Sequence, residues 1–203
     1  MTVRATRPAL LLSAGLVALT AALVALTLRR EPVEEYAVTP DPGAGEAADG
    51  LVGPRRVTLD TSDPDRWVRF DFARGGVAPA GEGWDIAFRR FNVLVNGGGP
   101  FPGDAAVIAV DDAGFDEVRG APREGWVQAG TGRDSANPAI ARWYDYGFVS
   151  HRLTPRPLVY VIRTREGRFA KLRFLSYYCP GAVPGCITFE YAYQGDGTRS
   201  LHE

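Results

Sequence analysis

The 203-residue chain is poor in the side chains that metal, redox and nucleophilic chemistry use most. It holds two cysteines, two histidines and a single methionine, Met1. Zinc usually takes four ligands, so a zinc site would need every Cys and His in the chain. Neither GxGxxG nor Gly-Lys-Ser/Thr occurs, which removes the familiar phosphate-cradling loops. GxSxG is also missing, so no nucleophile elbow is expected. The formal charge of −1 lacks the basic excess of a dedicated nucleic-acid binder. No internal repeat is present. These absences point away from an enzyme and away from a nucleic-acid partner.

Charge is also missing from one continuous stretch, Pro8 to Leu28, which is almost wholly apolar. As a helix it would run roughly 31 Å, enough to cross a bilayer core of about 30 Å. It exceeds the apolar core of about 7–15 residues in a cleavable signal peptide. Ala25-Leu26-Thr27 is a poor cleavage site, and no cysteine stands near the end for lipid attachment. Residues 1–30 are therefore read as an uncleaved signal anchor or transmembrane helix, with a cleaved signal as the alternative. Arg4 and Arg7 before it match Arg29 and Arg30 after it, so orientation is weakly marked. Residues 31–54 are acidic, rich in Pro and Gly, and short of large apolar side chains. Such a segment cannot bury enough surface to offset its ordering entropy, and it reads as a flexible tether.

Residues 55–203 carry the folded domain. Val68, Phe70 and Phe72 alternate on one face of a strand. Trp84, Ile86 and Phe88 share a face, and Phe91, Val93 and Val95 share one in the opposite phase. The switch at Arg89-Arg90 reads either as a bulge or as the junction of two strands. Val107–Val110 is a further short apolar run. Asn137-Pro138 offers the cap and first residue of one short helix. Val159–Thr164 and Arg168–Tyr178 flank a Gly-bearing turn and predict a hairpin. Ile187, Phe189, Tyr191 and Tyr193 then give a strand with an aromatic face. The fold class expected is all-β, predominantly antiparallel, with at most one or two short helices after the N-terminal one.

Cys179 and Cys186 bracket Pro-Gly-Ala-Val-Pro-Gly, a turn loop that brings their backbones close. A disulfide is the economical reading, worth about 2.5 kcal/mol by loop closure; a shared metal is the rival. A disulfide and a signal anchor agree on an extracytoplasmic domain, periplasmic or at the cell surface, and secreted if the signal is cleaved.

No catalytic constellation emerges. Asn96-Gly97-Gly98-Gly99 follows a strand as phosphate loops do, but Pro100 and Pro102 come next, and a turn needing positive φ is the simpler reading. Asp111-Asp112 and Asp63/Asp65 sit in polar, turn-like contexts. Arg89 and Arg90 could meet an anion, or guard a strand edge.

The motif GWDIAFRR (83–90) followed by VNGG (95–98) resembles the HmuY family of haem-binding proteins. So do YVIRT (160–164), GRFAKL (167–172), SYY (176–178) and TFEYAYQ (188–194). Together they cover most of the chain from Arg55 to Gly197. The resemblance implies a β-rich envelope or secreted protein that is not an enzyme. It implies that haem iron is held between two axial side chains and passed to an outer-membrane uptake system.

Haem iron accepts His, Met, Cys thiolate or Tyr. Met1 precedes the membrane segment, which excludes Met. Bis-His ligation would use both His151 and His202, and His202 is penultimate and expected to fray. His151 is the best ligand candidate, in the aromatic stretch Tyr144–His151, with Tyr144 or Tyr146 as partner; a plain surface histidine is the alternative. Trp143, Tyr144, Tyr146 and Phe148 either line an apolar pocket or fill the core.

Overall fold

The structure is a computed structural model, and it describes residues 7–28, 32–40, 49–131 and 135–202; within the N-terminal helix, side chains are described for 14–25. It divides into two units. One comprises residues 1–32 with the hairpin tip Tyr146–Arg152, the other Val33–Asp145 with Leu153–Glu203.

In the first unit, α1 spans Arg7–Leu28. Along its described part Leu16, Val17, Leu19, Leu23 and Val24 all stand exposed. Among the described residues no helix is long and apolar enough to cross a membrane.

The second unit is built almost wholly from antiparallel strands. β1 (Leu51–Asp60) is followed by β2 (Val68–Asp71), β3 (Gly76–Val77), β4 (Ile86–Arg89), β5 (Asn92–Val95), β6 (Gly97–Gly98), β7 (Phe101–Asp104) and β8 (Ala106–Val110). After a long connection come β9 (Tyr144–Gly147) and β10 (Arg152–Pro155), whose tip Tyr146–Arg152 falls in the first unit, and then β11 (Val159–Arg163), β12 (Phe169–Cys179) and β13 (Val183–Gln194). The main sheet has the order β1-β13-β12-β11-β8, and a smaller one the order β3-β2-β4-β5. The pairs β6–β7 and β9–β10 form separate two-stranded ribbons.

The two larger sheets bury their facing apolar rows in one core. Phe70, Ile86 and Phe88 come from the smaller sheet, with Phe72 from the turn after β2; Leu172, Phe174, Ile187 and Phe189 come from the main one. Phe189 is central, with ring centroids 5.2 Å from Phe70 and 5.4 Å from Phe88. Edge-to-face and offset aromatic pairs add to the burial of apolar area. A second cluster covers the other face of the main sheet with Phe115, Val118, Val161, Phe169 and Leu201.

The phase switch at Arg89-Arg90 is a hairpin. Ile86 and Phe88 pair with Val95 and Val93 across a two-residue turn, so all four point inward. Arg90 takes the left-handed conformation there, φ 52°, and its N–H donates to Thr61 O at 2.6 Å. The glycines of NGGG form β6 and the turn into β7, with φ of 76° at Gly98 and 53° at Gly99. A Cβ on Gly97 would lie 1.9 Å from the Ala105 carbonyl oxygen. Close packing therefore adds to turn geometry in requiring glycine. The Val159–Tyr178 hairpin and the aromatic strand that follows it are present as expected.

Two expectations are corrected. Asn137 caps only a turn: its Oδ1 accepts from Ala139 N–H at 3.0 Å, and no helix follows. Its amide instead donates inward to Val127 O at 2.7 Å, so the residue anchors a loop. The folded domain also begins before Arg55. β1 starts at Leu51, and part of the segment read as a tether is fixed to the main sheet. Tyr36 N–H donates to Tyr178 O, Thr39 and Thr58 exchange two hydrogen bonds, and Ser176 Oγ donates to Glu34 O. Composition failed there because the order comes from backbone hydrogen bonds to a sheet edge, which need few apolar side chains.

Candidate functional site

The motif GWDIAFRR is scaffold, and Asp85 is its key residue. Its side chain is only 2% exposed. One carboxylate oxygen accepts from Phe72 N–H at 3.0 Å and the other from Arg165 N–H at 2.9 Å. It thus ties the smaller sheet to the turn between β11 and β12. Burial pushes its pKa up to about 6; the backbone donors of Arg165 and Phe72 oppose this, and the nearby Asp71 charge adds to it. Arg165 also reaches Asp71, with 3.6 Å between Nη2 and Oδ2. Neither arginine of the motif joins an anion cradle. Arg89 lies over the Trp67 ring at 4.5 Å, and Arg90 faces Tyr177, whose phenol is raised chiefly by burial.

Cys179 and Cys186 form a disulfide, and no cysteine is free. The loop they close is held further by Gly181 N–H, which donates to Glu35 at 2.7 Å. Among the described residues no cluster of three or more His, Cys, Asp or Glu could hold a metal ion. Asp63 and Asp65 form a local turn bond, Asp65 N–H to Asp63 Oδ1 at 2.9 Å. Asp111 and Asp112 are exposed, and Asp112 adopts φ 56°. Both pairs therefore do turn work.

The aromatic stretch around His151 is a hairpin, β9 and β10, rather than an irregular loop. At its tip, Tyr146 Oη and His151 Nδ1 lie 2.5 Å apart, with ring centroids at 5.9 Å. His151 N–H donates to Gly147 O at 2.7 Å, and His151 has φ 53°. These contacts fix the imidazole while its Nε2 has no protein partner among the described residues. Phe148 packs edge-on against Tyr146 at 5.5 Å. Phe148 is 85% exposed and Val149 84%, so the tip presents apolar surface outward.

The other candidates have different surroundings. Trp143 is fully buried, stacks on Phe174 at 4.3 Å and donates from its indole to Phe91 O at 2.9 Å, so it is core. Tyr144 packs against Phe91 and Trp143. Burial raises its phenol pKa, which opposes the phenolate that iron would need. His202 is not frayed. Its Nδ1 is 2.8 Å from Arg119 O, and the adjacent Leu201 is buried and donates its N–H to the same carbonyl. The structure therefore brings Tyr146 and His151 together, while the contacts of Tyr144 and His202 are made with other residues. Period-two patterning places Tyr144 and Tyr146 on one face of a strand; which of them is covered depends on packing that no local pattern encodes.

Two antiparallel sheets sharing an aromatic core, a disulfide loop and an exposed aromatic hairpin define an all-β domain of the HmuY-like class. The sequence matches the HmuY protein family over residues 63–191, and the chain belongs to that family. No curated protein matches the chain. Among solved structures it is similar to the apo HmuY analog of Tannerella forsythia, with TM-score 0.56 and 16% identity over 71% of this chain and 96% of that one. It is also similar to a Bacteroides vulgatus protein described as HmuY-like and haem-binding. That pair has TM-score 0.55 and 20% identity over 79% of this chain and 97% of the other. At these identities the likeness establishes the fold.

Proposed function

We propose that the protein is a membrane-anchored, extracytoplasmic binding protein that holds haem, or a similarly flat apolar ligand, without transforming it. Membership of the HmuY family supports the ligand class, and the disulfide supports a compartment outside the reducing cytosol. α1 is the proposed anchor. The observation that carries the reading is the Tyr146–His151 pair at an exposed aromatic tip.

The donor set fits the group. Haem supplies an iron that accepts an axial imidazole. For Nε2 to offer its lone pair, Nδ1 must hold the proton and donate it to Tyr146 Oη. A metal-ligating histidine characteristically donates its second ring N–H in this way. Tyr146 is thereby a positioning residue, not the second axial ligand. Phe148 and Val149 offer the apolar contact a porphyrin edge favours. An outer-membrane uptake system is the proposed recipient of the cargo.

A haem titration followed by visible absorption tests this. Wild-type protein should give a saturable Soret change, and His151→Ala should abolish or strongly shift it. His202→Ala should do less, because the hydrogen-bond partners of that imidazole, Arg119 O and Ser200, bring no exposed aromatic side chain to meet a porphyrin. Wild-type protein without saturable binding would favour the second reading, a protein-interaction module using the exposed Phe148 and Val149.

A further inference from the structure

The chain has one lysine, Lys171, and it is only 3% exposed. It projects from β12 on the same face as Phe169, away from the main core. Its ammonium donates to Phe115 O at 2.8 Å and Val118 O at 2.9 Å and lies 4.6 Å from the Phe115 ring centroid. The third ammonium N–H has no protein acceptor among the described residues. Lys171 lines a cleft of about 300 Å³ together with Asp116, Arg119 and His202.

Burial holds the Lys171 pKa below the ordinary lysine value, the Asp116 carboxylate opposes that shift and the Arg119 charge adds to it, so the charges around this cleft act on one another without closing an ion pair. Among the described residues neither Asp116 nor Arg119 makes a salt bridge, although they stand three residues apart. His202 has a fixed tautomer. A carbonyl oxygen can only accept, so Nδ1 must carry the proton donated to Arg119 O. When the ring is neutral, Nε2 is then an acceptor. The cleft thus offers two donors, the Lys171 ammonium and the Arg119 guanidinium. It offers two acceptors, the Asp116 carboxylate and His202 Nε2. Its remaining wall is apolar, from Leu51, Pro54, Phe115 and Leu201.

A simple anion would use the donors and meet repulsion from Asp116. A simple amine would meet the reverse. We propose that this cleft binds a small zwitterion of the α-amino-acid class with an apolar side chain. The ligand carboxylate sits on Arg119 and Lys171, its ammonium on Asp116 and His202, and its side chain on the apolar wall. The cleft volume lies at the small end of ligand pockets, about 300–1,000 Å³, which suits one amino acid.

The test is isothermal titration of the full-length chain in detergent micelles with L-leucine. Two analogues serve as controls: 4-methylpentanoate, which lacks the ammonium, and isoamylamine, which lacks the carboxylate. Saturable leucine binding is expected, with each analogue at least tenfold weaker. Arg119→Gln and Asp116→Asn, both at exposed positions, should each weaken leucine at least fivefold and leave the urea unfolding midpoint unchanged. Absence of leucine binding would overturn the proposal. So would 4-methylpentanoate binding as tightly as leucine, or leucine binding that neither variant changes.

Discussion

Replacing Asp85 by Asn should remove a definite part of the protein's pH-dependent stability. The carboxyl has a pKa of about 6 when folded against 3.8 for the ordinary group, chiefly because it is buried. Between these values the folded state binds more protons than the unfolded state, so stability falls as pH rises through the window. At pH 5 the linkage relation gives extra stability on the order of 1 kcal/mol from this group, and near zero at pH 7.5. Asn is close in shape and keeps one acceptor oxygen for Phe72 N–H or Arg165 N–H. The other N–H then faces an amide NH₂, and an unsatisfied buried donor costs about 1–3 kcal/mol. At pH 7.5 that loss is offset by relief of the buried charge; at pH 5 it is not. Urea unfolding of wild type and Asp85→Asn at pH 5.0, 6.0 and 7.5, with matching m values, gives the difference directly. Other carboxylates cancel in that difference. The variant should be the more destabilised at pH 5, by on the order of 1 kcal/mol beyond its effect at pH 7.5. A difference that is flat across the range, or larger at pH 7.5, would show that the two backbone donors keep Asp85 ionised and would refute the reasoning.

Two further outcomes concern the disulfide and the anchor. Cys179→Ser with Cys186→Ser should lower stability by about 2.5 kcal/mol, read from the urea midpoint, since the closed loop is short. Two free thiols in denatured, unreduced protein from its own envelope would contradict the bond. Mass spectrometry of the mature protein should find residues of the Pro8–Leu28 segment retained; a mature N-terminus after Leu28 would replace the anchor by a cleaved signal.

The strands were legible because their faces alternate and the core is aromatic: Phe70, Phe88, Phe189 and Tyr191 all stand at period-two positions and are all buried. The disulfide was legible from a Pro/Gly loop between two cysteines. The role of Asp85 was not. An aspartate between Trp84 and Ile86 falls on the opposite face of the strand from those two residues, and only the fold brings Phe72 and Arg165 to its two oxygens. The order of Glu34–Thr39 was hidden for the same reason, since partners such as Thr58, Ser176 and Tyr178 lie far along the chain. At the candidate site the sequence singled out His151 with two tyrosines as equals. Their separation into a covered Tyr144 and an exposed Tyr146 bonded to His151 is a matter of packing. The burial of Lys171 under Phe115 and Val118 depends on a segment more than 50 residues upstream, which no local pattern around the lysine encodes.

In the proposed haem complex His151 ligates iron through Nε2 while its Nδ1–H is donated to Tyr146. Resonance Raman spectra of the ferrous haem complex read the iron–histidine stretch directly. Wild-type protein should show that band, Tyr146→Phe should move it to lower frequency by removing the hydrogen bond to Nδ1, and His151→Ala should eliminate it. A haem complex whose spectrum is unchanged in both variants would contradict the account.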